Sequence, residues 1–190
     1  MKFIIAAACA ATLIPAAALA QQAATAPTGL YGTLGYAGVR TSGVDLGAIQ
    51  GRVGWRFNNW LGVEGEFAAG VKDANGSQTI NGTTVNTKIK LNDEEAIYGV
   101  GFLPLSDRFD VLGRIGYGHQ GAKVSATAVG TGGPVTVSDT ARGDSWNYGA
   151  GVQYHFDGAN GIRGDYTREQ FTRNNSGHAD VWAVAFSHRF

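Results

Sequence analysis

The sequence has a single cysteine and, beyond its amino-terminal segment, no long apolar run. Cys9 lies in that amino-terminal segment, so residues 21–190 can form neither a disulfide framework nor a thiolate metal site. No apolar run in residues 21–190 reaches the ~20 residues that a membrane-spanning helix needs. The sequence therefore excludes a disulfide-stapled domain and a protein held in a membrane by helices.

Neither sign of charge dominates, since 15 basic side chains balance 15 acidic ones. This balance gives no sign of a nucleic-acid partner. The acidic run Asp93-Glu94-Glu95 lacks the spacing of a loop that wraps calcium, and no segment carries a cofactor motif. We expect neither a bound metal nor a cofactor.

The amino terminus has the three parts of a secretory signal peptide. Met1-Lys2 is a positive start, Phe3 to Ala17 is an apolar stretch, and Ala18-Leu19-Ala20 is a small-residue cleavage site. We predict a cleaved signal peptide over residues 1–20 and one domain over residues 21–190.

Side chains of that domain alternate with a period of two, which is typical of strands with one apolar face. The 29 glycines would each weaken a helix by roughly 1 kcal/mol but suit a tightly curved sheet. We predict eight strands, over Leu30–Val39, Ile49–Phe57, Leu61–Val71, Lys88–Leu103, Phe109–Tyr117, Trp146–Phe156, Ile162–Thr167 and Asp180–Phe190.

The connections alternate between short and long. Asn58-Asn59, Pro104–Arg108 and Asp157–Gly161 are predicted turns at one end. At the other end, Lys72–Thr87 is expected to be a long polar loop, and Gly121–Asp144 a hairpin that projects beyond the barrel. This pattern predicts an all-β fold, an eight-stranded antiparallel up-and-down transmembrane β-barrel.

Alternation alone does not say which face is outside, and a soluble barrel with an apolar interior is the alternative. The opposite face combines glycine with charge, which suits a narrow polar lumen. In Lys88–Leu103 we assign Ala96, Tyr98, Val100 and Phe102 to the outward face. Aromatic residues of the apolar faces would then form girdles at two bilayer interfaces: Trp55, Phe57, Trp60, Phe102, Phe109, Tyr154 and Phe156 at the turn end, Tyr117, Trp146, Tyr148 and Tyr166 at the loop end.

The predicted inward face carries both signs of charge. An eight-stranded barrel is about wide enough for its interior to be filled by side chains, and buried charges must be paired. These charges therefore predict either a polar plug or a salt-bridge gate in a narrow pore: Arg52, Arg56, Glu64, Glu66, Arg114, Arg163 and Asp165.

Catalysis is a third alternative, as a lipid A-modifying enzyme. His119 and His178 fall near the loop end, as do Ser125, Ser176, Asp139, Asp144 and Asp180. Such residues are common in any polar loop, and a triad is defined by geometry. We expect a protein that is not an enzyme.

The final strand has Trp182, Phe186 and Phe190 on one face, and Phe190 is the terminal residue. It resembles the closing strand of bacterial outer-membrane barrels, in which such residues act as the assembly signal. Phe109–Gly118 and Arg163–Tyr166 also resemble the barrel domain shared by OmpA-like, OmpX-like and opacity proteins.

The resemblance implies a place in the outer membrane of a Gram-negative bacterium. It implies outer-membrane lipid, lipopolysaccharide and the barrel-assembly machinery as partners, and a host or surface ligand at the loops. The functions it implies are adhesion, envelope integrity or a narrow pore. We expect the contact elements to be Lys72–Thr87 and Gly121–Asp144.

Overall fold

The computed structural model describes residues 28–41, 43–80, 83–130, 133–172 and 177–190. The predicted signal peptide lies outside these residues. Within them, no helix is long and apolar enough to span a membrane. The strands are β1 (Gly29–Thr41), β2 (Val44–Arg56), β3 (Leu61–Lys72), β4 (Ala74–Ile80), β5 (Thr83–Ser106), β6 (Phe109–Gly130), β7 (Gly133–His155), β8 (Asn160–Phe171) and β9 (His178–Arg189).

The strands form one closed antiparallel ring, as predicted. Each strand of the ring pairs with its neighbour in sequence, β1 pairs with β9, and β3 pairs with β5. β4 pairs with β5 beyond the point where β3 ends, so eight strands make the ring and β4 stands outside it.

Side chains alternate between the inside of the ring and its outer surface. In β2, Gln50, Arg52 and Arg56 are buried inside, whereas Val53 and Trp55 are exposed outside. The register places Arg52 directly opposite Glu66 of β3, so both point into the lumen. The predicted faces are confirmed in seven of the eight segments.

The exception is β5, whose predicted faces are wrong. Tyr98 pairs with Glu64, which points inward, so Tyr98 points inward too. Phe102 is only 5% exposed, and it packs beneath the guanidinium of Arg56 inside the barrel. Phe102 therefore does not belong to an aromatic girdle, and the outward side chains of β5 include Ile97 and Leu103.

The segment Lys72–Thr87 is not a loop, which corrects the prediction. It contains β4 and the start of β5, and these form a hairpin in which Ala74 pairs with Ile89. The predicted hairpin in Gly121–Asp144 is confirmed, with Ser125 opposite Ser138. Together these strands form what we call the hairpin sheet: β4, Thr83–Leu91, Gly121–Gly130 and Gly133–Asp144.

A register shift in β5 separates the hairpin sheet from the ring. Leu91 pairs with Ala122 and Asp93 with Gly121, so Asn92 is an extra residue in β5. Such a bulge exchanges the two faces of a strand. On the amino-terminal side of Asn92 the odd-numbered side chains therefore point inward: Leu91 is buried, and Lys90 is exposed.

The interior differs between the two ends of the ring. Charged and polar side chains fill the end with the short turns, here called the turn end. At the opposite end, here called the hairpin end, small and branched apolar side chains form a cluster that residue types alone had not led us to expect: Ala37, Val39, Leu46, Ala48, Ala68, Leu91, Ala179, Val181 and Ala183.

Candidate functional site

Arg52 joins three strands at the centre of the lumen. Its Nε atom donates to Glu66 at 2.6 Å, and its Nη1 atom donates to Asp165 at 2.7 Å. Its Nη2 atom donates to Gln50 at 2.8 Å. Glu66 is directly opposite on β3, whereas Asp165 reaches across from β8, so this one side chain ties opposite walls of the barrel together.

Arg163 of β8 is the second central cation. It is fully buried, and it pairs with Glu64 of β3 and with Asp165, whose Oδ1 atom is 2.9 Å from its Nε atom. The hydroxyl of Tyr31 also donates to Glu64, at 2.7 Å. These charge-assisted bonds are buried, and in a buried site such bonds are strong and unpaired charges are costly.

Arg114 of β6 completes the central network. Its Nη1 atom lies 2.7 Å from Glu66, and its Nη2 atom donates to the hydroxyl of Thr167 at 2.6 Å. The guanidinium also lies 4.1 Å from the centre of the Tyr98 ring, a cation–π contact. The side chain of Tyr98, on the inward face of β5, therefore packs against this arginine.

A separate cluster lies at the turn end. Arg56 donates to Asp110 at 2.8 Å, and a ring nitrogen of His155 is 3.1 Å from the same carboxylate. The cavity beside them, which Tyr31 and Arg189 also line, has a volume of about 10 Å³. That is about the space for one water molecule, so it has no room for a hydrated ion.

The structure brings together six of the seven predicted lumenal charges and separates the seventh. Five of them, together with Arg52, form the central network: Glu64, Glu66, Arg114, Arg163 and Asp165. Arg56 belongs to the turn-end cluster instead. Sequence reasoning did not select Asp110, Glu94 or Glu169, all of which are buried in the lumen.

The hairpin sheet is solvent-exposed and has two open edges. Among the described residues, no strand pairs with β4 or with Gly133–Gly143 on the side away from β5 and β6. Val135 and Val137, in this part of β7, are 66% and 68% exposed. Open edges of this kind offer unpaired backbone groups to other chains.

Basic side chains gather on the outer face of the hairpin sheet. Lys90 and Lys123 are direct cross-strand partners, and both are exposed. Lys88 follows on the same face of β5, and its Nζ atom lies 2.8 Å from Asp73. Arg142 of β7 pairs with Gly121 and so lies diagonally beside Lys123. We call Lys88, Lys90, Lys123 and Arg142 the basic cluster.

Among the residues that the structure describes, the candidate catalytic residues form no triad of serine, histidine and aspartate. His119 and Asp144 are in contact, with Nδ1 and Oδ1 2.7 Å apart. Ser125 lies six residues farther along β6, or ~20 Å at the rise of a strand. Asp139 pairs with Val124, which lies five residues from His119, or ~17 Å along the strand. At the other histidine, Asp180 accepts from Tyr166 and lies 3.7 Å from His178, while Ser176 lies outside the described residues.

The outer surface of the ring is apolar. Most predicted girdle side chains are exposed on it: Trp55, Phe57, Trp60, Tyr117, Trp146, Tyr148, Tyr154 and Phe156. Phe109 and Tyr166 are half-buried on the same surface, and Tyr166 packs against Trp182. Phe186 and Phe190 are exposed there as well. The roles of these residues as girdle and assembly signal stay predictions.

A closed barrel with an apolar exterior and a filled, polar interior defines a class, the β-barrel membrane proteins. The sequence model of one protein family, the outer membrane protein beta-barrel domain, matches residues 6–190, and the chain belongs to this family. Its place is therefore the bacterial outer membrane. A comparison with curated proteins finds no match.

Solved structures share the fold. The chain is similar to the attachment invasion locus protein Ail of Yersinia pestis, with 20% identity, 86% of this chain and 99% of that chain covered, and a TM-score of 0.55. It is similar to OprG of Pseudomonas aeruginosa, with 10% identity, 89% and 98% covered, and a TM-score of 0.52. It is also similar to Neisserial surface protein A, with 9% identity, 88% of this chain and 99% of that chain covered, and a TM-score of 0.51.

Proposed function

We propose that this protein is a non-enzymatic surface-contact protein whose ring is a closed anchor and whose hairpin sheet binds an anionic polysaccharide. The observation that carries the proposal is the basic cluster. Like charges directly opposite each other destabilise a sheet, yet Lys90 and Lys123 occupy such a pair. An anion bound between them would remove that repulsion.

The position of the cluster suits a ligand at the cell surface. It lies beyond Tyr117 and Trp146, which in this proposal mark the outer bilayer interface. Two sources of anionic groups reach this level: the phosphates of lipopolysaccharide and the sulfates of host polysaccharides. The Ail structure contains the heparin analogue sucrose octasulfate, which supports a sulfated ligand for a barrel of this fold.

Surface plasmon resonance on immobilised heparin tests the proposal, with protein refolded in detergent free of lipopolysaccharide. The double variant Lys90→Gln/Lys123→Gln should bind at least about tenfold more weakly, and binding should weaken as salt rises. Arg108→Gln is the matched control, because Arg108 is an exposed cation at the turn end. Unchanged heparin binding by the double variant would refute the sulfated ligand.

Lipopolysaccharide serves as the second probe in the same experiment. If the double variant loses affinity for lipopolysaccharide micelles but keeps its affinity for heparin, the cluster serves the lipid and not a host ligand. Loss of both would show that the cluster recognises anionic groups in general. If both affinities are kept, the basic cluster has no binding role.

A narrow channel is the second candidate, and the lumen favours a plug over a gate. The central network is nearly inaccessible to solvent: its arginine and carboxylate side chains are each at most 1% exposed. The side chains of the apolar cluster at the hairpin end are buried as well. Planar-bilayer recording should show no discrete openings with the unmodified protein. Openings that increase in Glu66→Ala would support a gated channel instead.

The enzyme alternative predicts altered lipid A in cells that overproduce the protein. Our proposal predicts an unchanged lipid A mass spectrum, since Ser125 is far from the His119–Asp144 pair.

For biogenesis, we propose that the barrel-assembly machinery recognises the β9 face that ends in Phe190. Deleting Phe190 should lower the amount of heat-modifiable barrel in outer membranes, and an unchanged amount would contradict this role.

A further inference from the structure

Among the described residues, the buried arginines and carboxylates of the lumen are paired except at the hairpin end. Four buried arginines pair with four buried carboxylates: Arg52, Arg56, Arg114 and Arg163 with Glu64, Glu66, Asp110 and Asp165. Glu94 of β5 and Glu169 of β8 are left over. They are 3% and 1% exposed, and within the described residues neither forms an ion pair.

These two carboxyl groups lie in one layer of the lumen. Glu94 is the cross-strand partner of Gln120, and the side-chain amide of Gln120 donates to Glu169 at 3.2 Å. Arg114 of the central network is already bound to Glu66 and Thr167. Two carboxyl groups buried in the same layer need a positive species to offset their mutual repulsion, either a proton or a metal cation.

The side-chain oxygen of Asn147 helps to distinguish a proton from a metal cation. Asn147 of β7 is the cross-strand partner of Glu169, and it is fully buried. Its amide nitrogen donates to the Tyr98 hydroxyl at 2.9 Å, which turns Oδ1 to the other side of the amide. Oδ1 of Asn147 and Oε1 of Glu94 are both buried without a hydrogen-bond partner.

A shared proton would offset the repulsion between the two carboxyl groups, but it would not by itself satisfy either of these oxygens. Buried polar atoms without a partner are rare and costly. One hard cation can accept lone pairs from all of these oxygens, because carboxylate and amide oxygens are its preferred ligands. A charge of two would also balance the two carboxylates.

We propose that Glu94, Glu169 and the Oδ1 atom of Asn147 form a binding site for one divalent cation of the Ca²⁺ type at the hairpin end of the lumen. Water molecules complete the coordination. Gln120, which donates to Glu169 at 3.2 Å, holds that carboxylate in position. The site is independent of any ligand of the basic cluster.

Equilibrium binding of Ca²⁺ to the unmodified protein, refolded in detergent without lipopolysaccharide and treated with a chelator, is the first test. The expected result is one saturable site per chain and a thermal midpoint that rises with Ca²⁺ concentration. No saturable binding and a midpoint independent of Ca²⁺ would show that the pair shares a proton, and would overturn the proposal.

Three variants locate the site. Glu94→Gln and Glu169→Gln should each weaken Ca²⁺ binding at least about tenfold. Glu95→Gln is the matched control, since Glu95 is the exposed neighbour of Glu94 and should bind as the unmodified protein does. If only Glu95→Gln weakens binding, the cation binds at the surface and the proposal fails. A gel-mobility shift on heating verifies that each variant forms a barrel.

Luminescence of Tb³⁺ gives an independent readout. Tb³⁺ substitutes for Ca²⁺ and emits when a nearby tyrosine is excited, and Tyr98 is bonded to the ligand Asn147. Emission should appear with the unmodified protein, disappear with excess Ca²⁺ and be lost in Glu94→Gln. Emission of equal strength in Glu94→Gln would place the ion elsewhere.

Discussion

The ring and the hairpin sheet share the strands β5, β6 and β7, but the backbone groups and side chains of these strands have different partners in the two parts. In the ring, each strand has a partner on both sides, the exterior is apolar and the interior charges are paired. In the hairpin sheet, two edges are open, valines are exposed, and lysines face each other.

The difference follows from the surroundings of each part. In lipid, every backbone polar group must find a partner within the protein, so only a closed sheet is stable. In water, solvent satisfies an open edge, and that edge remains available for other chains. The same strand thus serves as anchor over one part of its length and as contact surface over the rest.

The largest expected effect comes from breaking the central network. Arg163→Met would leave Glu64 and Asp165 buried without this cation, and we expect a loss of about 3–5 kcal/mol in the free energy of unfolding. Urea unfolding from lipid vesicles measures it. Arg142→Met, in the hairpin sheet, should change this free energy by less than ~0.5 kcal/mol. Equal losses of stability in the two variants would contradict the claim that buried ion pairs stabilise the ring but not the hairpin sheet.

A lipid-facing charge should have the next largest effect. Val184→Lys, on the exterior of β9, is expected to lose ~2–4 kcal/mol near the bilayer midplane, and Val63→Lys should behave in the same way. Val137→Lys is the matched change in the hairpin sheet, where the side chain meets water, and we expect less than ~0.5 kcal/mol. If Val137→Lys were the more harmful, the assignment of the faces would be inverted.

The smallest effect concerns the turn between β7 and β8, outside the lipid. Hydrogen bonds donated by the side chain and the backbone of Asn160, and by the backbone of Ala159, lower the pKa of Asp157 to about 2. Because the folded pKa lies below the usual ~3.9, the contribution of Asp157 to stability is complete above about pH 4 and disappears as the pH falls through about 2. Asp157→Asn keeps an acceptor oxygen but does not titrate.

The unfolding midpoint in urea, measured between pH 5 and pH 2, should therefore decrease more steeply for the unmodified protein than for Asp157→Asn. Parallel curves for the two proteins would contradict the role of this carboxylate. The effect is confined to the turn, since the ring and the hairpin sheet are identical in both proteins.

The ring was predictable because lipid on one side and a packed lumen on the other impose strict alternation. β2 shows this best, with Arg52 and Arg56 separated by Val53 and Trp55. β5 was misread because both of its faces are apolar, with Tyr98 and Phe102 on one and Ile97 and Leu103 on the other, so period two gave no direction. Only the register with β3 decides it.

The hairpin sheet was partly missed for a related reason. Both faces of β4 meet water, so Ser77 and Thr79 need no apolar neighbours and look like a loop. Within the lumen, Glu169 lies two positions beyond Thr167 on the same face, and this period could have identified it. Glu94 could not be identified in that way. It lies in a run of three consecutive acidic residues, in which polar and apolar side chains do not alternate, and the extra residue Asn92 shifts the register of β5 beside it.

The seam between β1 and β9 has a kinetic consequence. Tyr31 pairs with Arg189, 158 residues farther along the chain, and a Cβ at Gly35 would collide with the backbone of Val184 and Ala185. Contacts between such distant residues form slowly, and no other pairing of hairpins removes both edges of the sheet. The ring can therefore close only after β9 has been synthesised and delivered, and until then the chain has to be protected from aggregation.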